Sequence, residues 1–208
     1  MAGLSLPFLL QTALMVVVLL FSIIIHEIAH GYVALLNGDP TARMLGRITL
    51  NPIPHIDLVG SIVLPLLLLI SNSGFLIGWA KPVPVNPLNF RNYRWGEFAV
   101  SAAGPVSNLA LAAIFSLLLR LGLENPGLTQ LAYYGVSINI ILALFNLIPI
   151  PPLDGSHILA LVLPRELARL YSYLQPVGIV IILILMVTGT LWKILLPLYN
   201  QILMIMLG

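Results

Sequence analysis

Apolar residues run along this chain in long, nearly unbroken blocks, with the polar residues gathered into the gaps between them. Such blocks predict buried or membrane-crossing helices rather than amphipathic surface elements. The first runs from about Pro7 to Leu36 and stops at Asn37-Gly38-Asp39-Pro40, where Gly and Pro end a helix. About thirty helical residues reach about 45 Å, more than the about 30 Å of a bilayer core, so this block is expected to span 7–36. Further spans are expected over 97–121, over 128–148 before Pro149-Ile150-Pro151-Pro152, and over 174–192. Ile194 to Leu207 reads as too short for a crossing.

The block at 59–70 is broken by Pro65 and followed by Ser71-Asn72-Ser73-Gly74, which is poor material for a full span. Arg47 to Leu50 is expected to form a short strand. Ala80 to Asn86, alternating and rich in Pro, reads as an extended edge strand that cannot lie bare in lipid. Gly155 to Leu163 is expected to start another helix, and Arg165 to Arg169 to lie at the interface. The expected fold class is an all-α polytopic membrane protein, a helix bundle with a small re-entrant and edge-strand element at 59–86, forming a single domain over 1–208.

Composition agrees: of 208 residues 60% are hydrophobic and 8% charged, outside the usual range of soluble domains. The lipid bilayer is therefore the first partner. With a net charge of +2 and no basic or acidic run, nucleic acid is not expected as another. The absence of cysteine excludes disulfides and thiolate metal ligands. The N-terminus lacks a basic region and a cleavage site, so a removable signal peptide is not expected. Neither a soluble appendage nor an internal repeat is visible.

One block carries chemistry. His26 and His30, four apart, share a helix face, and Glu27 beside them can act as base for a hydrolytic water. This H-E-x-x-H lies within an apolar block, where each ionisable group costs a few kcal/mol and is usually functional; a polar cluster that merely bridges helices is the alternative. Counted back from Asn37, the histidines sit about 10 to 17 Å from the helix end. A catalytic zinc wants three protein ligands. Asp57, Glu97, Glu124, Asp154, Glu166, His55 and His157 remain to supply the third. Asp154 stands out because it follows an apolar block on backbone kept irregular by three prolines and Gly155, and such backbone at membrane depth lines a cavity or is buried in protein. Its alternative role is to cap the helix beginning at Gly155.

Joining Asp154 to His26 and His30 requires the first and third long helices to run parallel. That makes 59–86 re-entrant, turning at Ser71 to Gly74. Arg43, Arg47, Lys81, Arg91, Arg94, Arg165 and Arg169 then share one side, against Arg120 on the other, which by the positive-inside rule is cytoplasmic. His55 reads as a gate, a partner to a ligand or a plain interfacial residue. Asn108 and Asn139 line a wet cavity or bond between helices, and Trp79, Trp95 and Trp192 read as interface anchors.

The chain resembles the site-2 protease family of zinc metalloproteases, in its compact prokaryotic branch. The resemblance rests on His26-Glu27-Ile28-Ala29-His30, Gly104-Pro105, the N-x-x-P of Asn146 to Pro149, Leu153-Asp154-Gly155 and GWAKPVPVNP. It implies a Zn2+ cofactor held by His26, His30 and Asp154, with Glu27 as the catalytic carboxylate and Asn146 stabilising an oxyanion or holding substrate. It also implies a multi-pass protein of the prokaryotic cytoplasmic membrane that hydrolyses peptide bonds of single-pass or membrane-anchored substrates; the loop charges put that site near the cytoplasmic face, and the Lys81 to Asn86 strand is expected to pair with an unwound substrate segment. The chain departs from larger members in showing no clear span before the H-E-x-x-H helix and no regulatory domain. A non-catalytic metal-binding scaffold or a metal transporter is the competing class. Glu27 argues against both, and one metal site without repeated broken helices argues against transport. A metalloprotease of another class would take a Glu as third ligand, for which Glu97 and Glu166 are poorly placed.

Overall fold

The computed structural model describes residues 6–63, 66–67, 70 and 78–208. The first apolar block forms α1 (Leu6–Leu36). It ends where Gly38 turns into the left-handed region at φ 108°, and the Asp39 N–H bonds Ala34 O at 2.9 Å. Glycine reaches that region without a steric cost. After a short α2 (Thr41–Met44) the described residues form single 3-10 turns at Ile53–His55 and Pro87–Asn89 and a π-helical turn at Leu58–Val63, and then α3 (Tyr93–Arg120) and α4 (Pro126–Asn146). Asn92 and Asn125 cap α3 and α4 by accepting from backbone N–H groups in the first turn. Then follow α5 (Asp154–Val162), α6 (Arg165–Ser172), α7 (Gly178–Val187) and α8 (Thr190–Leu207).

α3 is the hub, packing on α1, α4, α5 and α8. Its hydrogen bonds set the directions. His30 meets Val100 and His26 meets Asn108, so α3 runs antiparallel to α1. Asn139 meets Asn108, and Phe115 lies against Gly135, so α4 turns back along α3 and runs parallel to α1. Arg91 N–H donates to Asn37 O at 2.9 Å, so the chain leaves α1 and enters α3 at the same end of the bundle. Trp192 and Leu195 of α8 share a pocket with Ile141 and Leu144, while Met206 O accepts from Ser116 and Arg120. The start of α8, with Lys193, therefore lies at the end of the bundle that carries the histidines.

Among the described residues four helices, Leu10–Leu36, Tyr93–Arg120, Pro126–Asn146 and Thr190–Leu207, are long and apolar enough to cross a membrane. Their outward positions, such as Val17, Leu20, Ile114, Leu117 and Ile205, are large and exposed, as lipid contact requires. The protein is a polytopic, all-α membrane protein.

The fourth of these helices differs from the sequence expectation. The stretch 174–192 is divided: α7 stops at Val187, Thr188 Oγ1 turns back onto Ile184 O at 2.9 Å, and Gly189 breaks the helix at φ 71°. α8, read from sequence as too short, is the one of spanning length. Two strand expectations also change. Among the described residues no strand forms: 48–50 are bends, and 80–86 have neither regular structure nor a partner strand. The expected re-entrant path through 59–86 includes 64–65, 68–69 and 71–77, which lie outside the described residues.

The 80–86 stretch nevertheless has fixed anchors. Lys81 N–H donates to His55 O at 2.9 Å, Arg47 Nη2 to Lys81 O at 2.8 Å, and Asn86 N–H to Asp39 Oδ2 at 2.7 Å. Asp39 is fully buried and also accepts from Thr41 and Asn89. Burial alone would raise its carboxyl pKa; these hydrogen bonds overcome that and hold it below the ordinary value. Val85 packs on Ala34, Phe90 and Val100. The stretch is thus a strap laid across the end of α1.

Candidate metal centre

Three side chains converge where α1, α3 and the start of α5 meet. His26 Nε2 and His30 Nε2 are 3.0 Å apart, and Asp154 Oδ2 lies 3.3 Å from the first and 3.4 Å from the second. His26 and His30 are buried and Asp154 is largely so. Helical spacing brings the two imidazoles to one face of α1. Asp154 arrives because the chain turns through Pro149 to Pro152 as α4 ends, and α5 begins at Asp154 itself. Leu153 occupies the capping position, and no side chain caps α5. The carboxylate faces the histidines instead.

The outer nitrogens decide what the inner ones offer. His26 Nδ1 is 2.7 Å from Asn108 Oδ1, and His30 Nδ1 is 2.7 Å from Val100 O. Both oxygens only accept, so each Nδ1 carries the proton and each Nε2 presents a lone pair. The Asn108 amide orientation is fixed in turn, since its Nδ2 donates to Asn139 Oδ1 at 2.8 Å and Asn139 Nδ2 donates to Ser22 Oγ at 2.8 Å. Ser22, Asn108 and Asn139 are fully buried.

Two lone pairs and a carboxylate oxygen therefore point at one another. Asp154 Oδ2 is buried and has no hydrogen-bond donor among the described residues. Such a cluster is repulsive unless a cation sits in it. Tetrahedral ligands about 2.0 to 2.1 Å from a zinc ion lie about 3.3 to 3.4 Å from one another, close to the three separations observed. The residues fit zinc. α3 makes room for the two imidazoles at Gly104, where a Cβ would overlap His26 Cε1 and His30 Nε2.

The comparisons with known proteins agree with this geometry. YwhC of Bacillus subtilis, named as a candidate zinc metalloprotease, is 41% identical over 195 residues, covering 89% of this chain and 85% of YwhC. The chain belongs to the site-2 protease family. Residues 122–185, which contain Asp154, match peptidase family M50. The Rip2 proteins of Mycobacterium tuberculosis and Mycolicibacterium smegmatis, named likewise, are 32% and 29% identical over 176 residues, covering 83% of this chain and 66% of theirs. No solved structure matches the chain. The protein is a multi-pass metalloprotease of the cell membrane, and the cofactor of its family is zinc.

The other expected residues fall outside the cluster. Asn146 is the last residue of α4, and its Nδ2 donates to Leu142 O at 2.9 Å within the same helix. His55 is buried and donates from Nε2 to Thr49 O at 2.9 Å, tying the loop that receives Lys81. Asp57 accepts from the N–H groups of Val59 and Gly60, as a cap does. Pairing of a substrate strand with the strap meets an obstacle: from 81 to 84 the two prolines have no N–H, Lys81 N–H is spent on His55 and Val83 N–H on Glu27 Oε2. No amide donor is left there for a ladder.

Sequence reasoning missed three groups. Asn108 was seen only as a polar residue of undecided role; its spacing of four from Gly104 puts both on the face toward α1, which was the available signal. The Val100 carbonyl and the Val83 amide leave no trace in residue type. A fourth contact, between His157 Nδ1 of α5 and Glu97 Oε1 of α3 at 3.1 Å, joins the helix that carries Asp154 to the hub. Glu97, weighed as a ligand from sequence, serves there instead.

Proposed function

We propose that His26, His30 and Asp154 hold one zinc ion and that, with Glu27, they hydrolyse peptide bonds of single-pass or membrane-anchored substrates near the cytoplasmic face. The observation that carries this reading is the convergence of three lone-pair atoms whose outer nitrogens are already committed. The substrate class and the cytoplasmic side rest on the position of the cluster near one end of the bundle, the end where the basic residues gather.

A zinc ion in this site supplies Lewis acidity, polarising a carbonyl and bringing the pKa of a water toward neutrality. The protein does the rest. Asn108 and Val100 keep the imidazoles in the tautomer that binds metal. Glu27 takes the proton from the water and passes it to the leaving amine. Asn146 is assigned to the substrate: its amide has a second N–H beyond the one given to Leu142 O. The chain folds as one domain with crossings at α1, α3, α4 and α8.

The test is cleavage of a single-pass reporter by protein reconstituted in vesicles. Wild type cuts it in a zinc-dependent way, and Glu27→Gln loses at least about 100-fold, the low end for removing a general base. Full activity in Glu27→Gln contradicts the mechanism. A scaffold or transporter predicts bound metal with no cleavage in either protein.

A further inference from the structure

Glu27 is held by a group outside its own helix. Its Oε2 accepts from the Val83 N–H at 2.7 Å. The sequence around Val83 makes this donor singular: Pro82 and Pro84 have no N–H, and the Lys81 amide is committed to His55 O. The strap is also restrained on both sides of that amide. Arg47 grips Lys81 O at 2.8 Å, and Asp39 takes the Asn86 amide at 2.7 Å. Val83 itself is buried, close enough to Gly31 that a Cβ there would come within 3.0 Å of its Cγ1. Two fixed proline φ angles and pinned ends are more order than a connecting loop needs. An element built this way sets a geometry.

We propose that Val83 is a positioning residue of the protease: its backbone N–H holds one oxygen of Glu27 and so turns the other toward the water. The proposal rests on Glu27 being the base. It makes the strap part of the machinery that aims the base, through the one backbone donor that the Pro-Val-Pro sequence leaves.

The test exchanges the Val83 amide for an ester by incorporating the α-hydroxy acid analogue of valine, which removes the N–H and leaves the side chain in place. With the full-length, zinc-loaded protein and the membrane-anchored reporter, kcat falls about 10- to 100-fold, the range expected for losing one hydrogen bond to a charged group, while KM and zinc stoichiometry stay at wild-type values. The same exchange at Val85 changes kcat less than about twofold, far below that loss. In a Glu27→Asp background, whose shorter side chain draws back from the strap, the Val83 ester has no further effect. Wild-type kcat in the Val83 ester, an equal loss in the Glu27→Asp background, or loss of zinc from the Val83 ester would each overturn the proposal. Wild-type cleavage by Glu27→Gln would instead remove the base assignment, and the proposal with it.

Discussion

At the scale of single residues, two carbonyl oxygens decide which nitrogen each histidine offers. Replacing Asn108 with Ala takes away the acceptor for the His26 Nδ1–H and unties Asn139. Zinc affinity is expected to fall about 10- to 100-fold, the usual cost of losing such an outer partner, as read by competition with a chelator. Unchanged affinity would mean that the Asn108 contact is incidental. His26, Glu27 and His30 were legible as candidates because spacing and a forbidding apolar context both single them out. Asn108 was not, since a buried amide in a membrane helix serves equally well as a bond between helices, and residue type does not say what it faces. Asp154 had two readings, cap or ligand. The structure starts α5 at Asp154 and turns its carboxylate to the histidines.

Among the elements, α5 carries Asp154 and is tied to the hub by His157 and Glu97. The hydrogen bond to Glu97 raises the His157 pKa, outweighing the burial that would lower it. The sign follows from that direction. The bond's stabilisation is fully present below the ordinary histidine pKa of about 6.5 and is lost as pH rises through the raised folded-state value. A stability gap between wild type and His157→Gln is therefore expected at about pH 6 and should close by about pH 9 in thermal unfolding of the zinc-loaded protein. A gap that widens with pH would contradict the pairing. The long helices were legible as apolar blocks. The break at Gly189 was not, because a single glycine within a uniformly apolar run leaves the hydropathy unchanged. The strap was read as a strand from its alternation, but from 81 to 84 its prolines lack N–H groups and the Lys81 and Val83 amides are bonded to His55 and Glu27.

For the whole molecule, the parallel course of α1 and α4 follows from where their partners meet. It places eight of the nine Lys and Arg residues at the metal end, Lys193 joining the seven recognised from sequence, with Arg120 at the other. That asymmetry matches the positive-inside rule. The chain has no cysteine, so single cysteines can report sidedness directly. Cysteines at Arg43, Arg91 and Arg169 are expected to label from the cytoplasmic side, and one at Leu121 or Gly122 from the opposite side. Labelling of positions 43 and 91 from opposite sides would break the topology. The parallel course of α1 and α4 was expected from the sequence because the candidate ligands have to meet, which limits the ways those two helices can run; the crossing by α8 was not.

The most direct test of the site is the zinc content of purified protein. Wild type and Glu27→Gln are expected to carry one zinc per chain, and Asp154→Ala to lose most of it under the same chelator wash. Full zinc retention in Asp154→Ala, or loss of zinc in Glu27→Gln, would contradict the assignment of ligands and base.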